Sequence, residues 1–169
     1  MAFKVTPMGG IGSGHDFRLG DRVEVESLGS LAPEYRSLIE GPVTVTLATV
    51  APNGRAHLSP IWMRATPDGR FLEVNTARGR GKDRHLRANG HASVQLTNPE
   101  NPYHWVTIYG HVADVVDEDD PERGHLATES IDDLAELYIQ RRPYPFRKEG
   151  EVRTLFYVAP TLVVTFGAP

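Results

Sequence analysis

The sequence predicts a mainly β fold: a small barrel of six antiparallel strands with two or three flanking helices. Three observations point to it. Six stretches alternate apolar and polar side chains with a period of two, as half-buried strands do. The first three are joined by tight turns, which leaves no room for the crossover helices a parallel sheet needs. The length, 169 residues, makes one ordinary domain with enough core to let a sheet close on itself.

Residues 1–30 have no clear period and are expected to form an N-terminal extension, a flexible lead-in or an arm lying on a partner subunit. A barrel domain is expected over 31–169. The glycine-rich run 9–14 (GGIGSG) lacks both the dinucleotide-binding spacing and the lysine of a phosphate loop. Residues 33–40 place Tyr35, Leu38 and Ile39 at helical spacing, and Gly41-Pro42 stops that helix. Val43, Val45 and Leu47 then mark a strand at 43–48, and Asn53-Gly54 supplies a turn. In the next strand, 55–64, Ala56, Leu58 and Trp62 share one face, with His57, Ser59 and Ile61 on the other. A turn at 67–69 leads into 71–75.

Residues 78–89 read as a basic helix ended by Asn89-Gly90. A strand at 91–97 and a loop at 98–102 follow. The long strand 103–116 has Gly110 in its interior, which signals a bulge or a barrel corner. Asp120-Pro121 opens a helical region, Ser130 with Asp133 resembles a capping box, and Ile131, Leu134, Ala135 and Tyr138 form one apolar stripe. Residues 143–146 (PYPF) are a rigid loop. Residues 152–158 and 161–166 make one long strand broken at Pro160.

Composition excludes several functions. There are no cysteines, hence no disulfide scaffold, thiol nucleophile, Cys-ligated zinc or iron–sulfur cluster. The net charge of −4 argues against a dedicated nucleic-acid binder. The longest uncharged stretch, 154–169, is interrupted by Pro160 and falls short of the roughly 20 residues that cross a bilayer. A cytoplasmic protein is expected, with no membrane and no nucleic-acid partner. His57, His91, His104 and His111 fall on strands without a same-face i, i+2 pair, so no metal site is expected.

The charges are unevenly distributed. Residues 55–87 hold eight Lys or Arg against three acids, while 114–136 hold ten acids and one Arg. Within the basic third, Thr76 to Lys82 (TARGRGK) leaves a strand, passes two glycines and enters a helix. Such a junction offers free amides and the positive end of a helix dipole to an anion, with Arg80 and Lys82 beside it. The solvated face of a short helix is the alternative reading. Tyr103 and Trp105 share one strand face and His104 takes the other; the aromatic pair forms either a ledge for a planar ring or part of the barrel core. No nucleophile elbow, zinc-protease motif or Walker loop is present, so a bound cofactor would have to carry any chemistry.

Four segments together resemble a known family: 54–60 (GRAHLSP), 75–86 (NTARGRGKDRHL), 101–106 (NPYHWV) and 142–146 (RPYPF). Over residues 41–167, about three-quarters of the chain, the sequence is similar to the split β-barrel flavin/deazaflavin oxidoreductases, whose archetype is pyridoxamine 5′-phosphate oxidase. It resembles most the branch dependent on coenzyme F420. The resemblance implies an FMN-binding-type split barrel, a homodimer with cofactor at the subunit interface, and hydride transfer to or from a small organic substrate. F420 is the implied cofactor, with FMN, or F420 binding without catalysis, as the alternatives. It maps cofactor contacts onto Ser59, Asn75, Thr76, Ala77, Arg80, Gly81, Lys82, Tyr103, His104, Trp105 and Val106, with Arg80 and Lys82 near the phosphate. His57 and His104 are candidate proton donors. Relatives often carry a basic residue where this chain has Tyr109, and residues 1–30 lie outside the resemblance.

Overall fold

The structure, a computed structural model, describes residues 2–8 and 22–169; the run 9–14 lies outside them. In chain order the elements are β1 (Phe3–Met8), β2 (Val23–Val25), a 3-10 turn (Leu28–Ser30), α1 (Pro33–Glu40), β3 (Val45–Val50), β4 (Ala56–Ile61), β5 (Met63–Ala65), β6 (Leu72–Ala77), α2 (Gly81–Asn89), β7 (His91–Thr97), β8 (Trp105–Asp117), α3 (Gly124–Ile139) and β9 (Arg153–Phe166). The six predicted strands are all present, with 55–64 divided into β4 and β5 at Trp62. Gly54, Gly69 and Gly90 all have positive φ, as the turns and the helix stop require.

The strands form one curled sheet in the order β2-β1-β9-β8-β7-β3-β4, with β6 on β9 and β5 on β6. β9 runs against β8 for its whole length. On its other edge it meets β6 through residues 153–158, then β1 through 162–166. β1 comes from the segment without a readable period, and its pairing with β9 is parallel, the one departure from the antiparallel expectation among the described strands. Pro160 does not break β9. It stands where β6 has ended and β1 has not begun, so a residue without an N–H forfeits no ladder bond on that edge. Its register partner is Gly110, where the β8–β9 pairing shifts, and a Cβ on Gly110 would lie 2.5 Å from the Ala159 carbonyl oxygen. The predicted irregularity at Gly110 is therefore a bulge made by close backbone approach.

The core fills this curl. Val45, Leu47, Leu72, Val94, Ile108 and Phe156 are all inaccessible to solvent, and α1 closes one end with Leu38 and Ile39. α3 lies across β6, β8 and β9 through Ala127, Ile131 and Leu134. Ser130 is not its N-cap, as the capping-box spacing suggested. The helix begins six residues earlier, where the Asp120 carboxylate accepts the amides of Glu122 and Arg123 at 2.9 Å each. Ser130 instead lies buried mid-helix and donates to Glu73 at 3.0 Å.

One seam stays open. Among the described strands β4 pairs only with β3, and β5 only with β6, so the strand leaves one ladder for the other as it passes Trp62. Residues 75–77 of β6 have β9 on one edge and no partner among the described strands on the other, and Asn75 shares a cavity with Pro60 and Ile61 of β4. That open seam makes the barrel a split one.

Candidate functional site

A cavity of about 350 Å³ opens at this seam. Pro60, Ile61 and Trp62 enter it from the end of β4, and Asn75 and Arg153 from the paired strands β6 and β9. Arg80 and Lys82 come from the turn into α2, and Ile131 and Leu134 from α3. Tyr144 and Phe146 complete it from the loop after α3. The aromatic wall is continuous: Trp62 stacks on Tyr138 at 5.4 Å and meets Tyr144 edge-on at 6.1 Å, and Tyr144 meets Phe146 at 5.7 Å. The Tyr138 hydroxyl fixes this wall by donating to the Val43 carbonyl at 2.9 Å.

The cationic side is built differently from the sequence expectation. Three arginines of the basic third are neutralised by acids, some from the acidic third and some from the basic third itself. Arg64 binds Glu73 and Asp133, Arg78 binds Asp117 and Asp119, and Arg87 binds Asp83 and Asp117. The Gly79 amide is taken by Asp83 at 2.7 Å, and Arg84 turns back onto the Gly79 carbonyl. From this third Arg80 and Lys82 line the cavity, and Arg153 joins them there. Lys82 is half-buried; burial, and then the charges of Arg80 and Arg153, hold its ammonium below the ordinary lysine value. No carboxylate is among the groups acting on it.

Of the residues singled out from sequence, Asn75, Arg80 and Lys82 line the cavity. Asn75 makes its hydrogen bonds within the protein: its amide donates to the Ala127 carbonyl at 2.8 Å and its oxygen accepts from Arg153 Nε at 2.8 Å. Ala77 and Thr76 lie on the unpaired edge of β6, and Ser59 on β4 across the seam. Thr76 Oγ1 and Ser59 Oγ are buried without a hydrogen-bond partner among the described residues. Gly81 begins α2, beside His57 and His85.

The segment 103–106 lies elsewhere. β3 and β7 stand between β4 and β8, and none of Tyr103, His104, Trp105 or Val106 lines the cavity. Tyr103 is 63% exposed, Trp105 stacks on Phe166 at 5.5 Å, and Val106 is core. His104 is 1% exposed. The Asn98 amide oxygen is engaged by the Glu100 N–H, so its nitrogen donates to His104 Nδ1 at 3.1 Å. His104 Nε2 is buried and has no hydrogen-bond partner among the described residues. His57, the other candidate proton donor, sits 5.5 Å edge-on from His85, whose Nδ1 is held by Thr49 Oγ1 at 3.0 Å.

Sequence reasoning missed Arg153, Glu151 and Trp62. A charged residue opening an apolar strand reads as a solvated end, and only the pairing of Ala77 with Arg153 reveals otherwise. The alternation that put Trp62 on a strand face could not show that the strand changes ladders there.

The residues present fit a flat, anionic guest: an aromatic wall and three cations line one cavity. No helix among the described residues is long and apolar enough to cross a membrane. No curated protein matches the sequence. Among solved structures, one described as an F420 reductase is 28% identical, with 79% of this chain and 98% of that one covered and a TM-score of 0.63. HutZ, a heme storage protein of Vibrio cholerae, is 16% identical with 82% and 96% covered and a TM-score of 0.59. HupZ of Group A Streptococcus is also 16% identical, with 82% and 97% covered and a TM-score of 0.57. These last two share the fold alone. The sequence pattern of the pyridoxamine 5′-phosphate oxidase family extends over residues 31–161, from just before α1 to within β9, and so takes in the whole seam. A split barrel whose open seam carries this cavity, together with that match, places the chain in the pyridoxamine 5′-phosphate oxidase family.

Proposed function

We propose that the protein is an F420-dependent oxidoreductase acting on a small organic substrate, and that it works as a homodimer. The observation that supports this best is the 28% identity to an F420 reductase across nearly the whole of that chain, joined to a cavity that pairs an aromatic wall with three cations. A deazaflavin, when bound, supplies a two-electron hydride. The chain's own residues do the rest. Arg80, Lys82 and Arg153 hold the anionic end of the cofactor. Trp62, Tyr144 and Phe146 keep water from its flat part. Substrate is oriented rather than activated by a nucleophile. Residues 103–106 lie beyond β3 and β7 in their own chain, so they contribute to a site only across a dimer interface.

The test is a pair of fluorescence titrations of the purified protein, one with F420 and one with FMN. Saturable F420 binding, followed by turnover with an electron acceptor, is expected. Tight FMN binding with no F420 binding would replace F420 by a flavin.

A further inference from the structure

Arg153 is the most buried charged residue at the cavity, 2% exposed, and the protein holds it from several sides. Its Nε donates to Asn75 Oδ1 at 2.8 Å and its Nη1 to Glu151 Oε1 at 2.7 Å, while its backbone amide donates to Glu118 at 2.9 Å. The guanidinium carbon lies 5.5 Å from the centre of the Tyr144 ring. Among the described residues no protein acceptor meets Nη2, and Arg153 lines the cavity. A guanidinium fixed through two of its three nitrogens, with the third left over, is a preorganised anion receptor.

Its charge surroundings say what kind of anion. Among the described residues the cavity wall carries Arg80, Lys82 and Arg153 and no acid. Glu151 bridges the two arginines from behind, reaching Arg80 Nη2 at 3.5 Å with its second oxygen. Glu118, beneath the Arg153 backbone, is matched by Arg147. Three cations against one carboxylate leave two positive charges unanswered, in a setting that already lowers the affinity of Lys82 for its proton.

We infer that Arg153 is the central contact for a doubly negative group in this cavity, with Asn75 and Glu151 as positioning residues that act through it. The inference rests on the cofactor reading above. The shared chemistry is either a phosphate monoester, as in FMN, or a phosphodiester with carboxylates near it, as in F420.

The experiment uses the full-length chain and four variants: R153Q, R153K, N75A and N75A/R153K. Each is titrated with F420 and with the bare deazaflavin chromophore that lacks phosphodiester and glutamates, and each melting temperature is recorded. R153Q is expected to weaken F420 by about tenfold to a hundredfold, the range for a charged hydrogen-bond partner, and to leave the bare chromophore unchanged. R153K is expected to fall between. N75A is expected to weaken F420 in the native background but to add little to R153K, because lysine has no Nε–H for Asn75 to hold. Native F420 affinity in R153Q or, if R153Q does not fold, in R153K overturns the inference, as does equal loss of F420 and bare chromophore. If the native chain binds FMN and not F420, the cofactor reading fails separately. Arg153 is then read from FMN against riboflavin, with selective loss of FMN expected and equal loss overturning it. If neither binds, pyrophosphate is the probe: a melting temperature raised in the native chain but not in R153K supports the receptor, and no rise in the native chain overturns it.

Discussion

The barrel is sealed on one side and open on the other, and the two sides use their arginines differently. On the sealed side β8 and β9 run together from Trp105 opposite Phe166 to Asp117 opposite Thr154. There Arg78 and Arg87 end on Asp117, which also accepts from Thr154 Oγ1 at 2.7 Å. On the open side Arg80 and Lys82, from the same short stretch of chain, reach the cavity, and among the described residues only Glu151 pairs with either of them. A basic run in sequence is therefore not one patch. The acids that fold against it decide which of its charges remain for a ligand, and substitutions on the two sides should separate stability from binding.

The largest effect is expected on the sealed side. Gly110→Val puts a Cβ within 2.5 Å of the Ala159 carbonyl oxygen and 2.9 Å of Val158 Cγ1, so backbone must move. A loss of about 3 kcal/mol in unfolding free energy is expected, at the upper end for overpacking, and urea titration measures it. Native stability in this variant would mean that the bulge gives way freely and that the sealed side is not rigid.

Lys82→Met should do the reverse, weakening F420 binding by about 1–3 kcal/mol while stabilising the fold modestly at neutral pH. The sign follows from its surroundings. Burial, then Arg80 and Arg153, lower the Lys82 affinity for its proton, so the folded chain releases that proton more readily than the unfolded one. The penalty is fully present at neutral pH and fades as pH rises toward the ordinary lysine range. Melting curves of both chains across that interval should converge; a constant gap would assign the effect to packing instead.

Arg87→Ala is expected to cost about 1 kcal/mol of stability, since the half-exposed side chain gives up bonds to Asp83, Asp117 and Thr154, and to leave F420 affinity unchanged. A binding loss as large as that of Lys82→Met would erase the division between the two groups of cations.

How far the sequence could be read follows the range of the interactions. Period-two alternation and turn chemistry are local, so the six strands, the Gly54, Gly69 and Gly90 stops and the irregularity at Gly110 were visible. The passage of the chain at Trp62 from β3 to β6 depends on pairings between distant segments, and no local pattern marks it. Ser130 shows the same limit: the spacing to Asp133 is that of a helix cap, but its actual partner is Glu73, 57 residues away. At the cavity, Asn75, Arg80 and Lys82 come from one contiguous motif and could be named together. Arg153 reaches them only through the β6–β9 ladder, and the stacking of Trp105 belongs to Phe166 at the far end of that strand.

Tyr103→Ser has the smallest expected effect and bears on the part of the site that one chain cannot build. The side chain is 63% exposed and its ring stacks on no aromatic ring among the described residues, so stability should change by no more than about 0.5 kcal/mol. Its backbone is already fixed, because the amide donates to Asn101 Oδ1 at 3.1 Å and the turn persists without the ring. Any drop in F420 affinity must then come from a surface that the cavity of the same chain does not include. A measurable drop that disappears when the protein is diluted to monomer would assign Tyr103 to the partner subunit's site. A variant that binds F420 as the native chain does, in a preparation shown to be dimeric by sedimentation, would remove Tyr103 from the site and leave the open seam to work with its own residues.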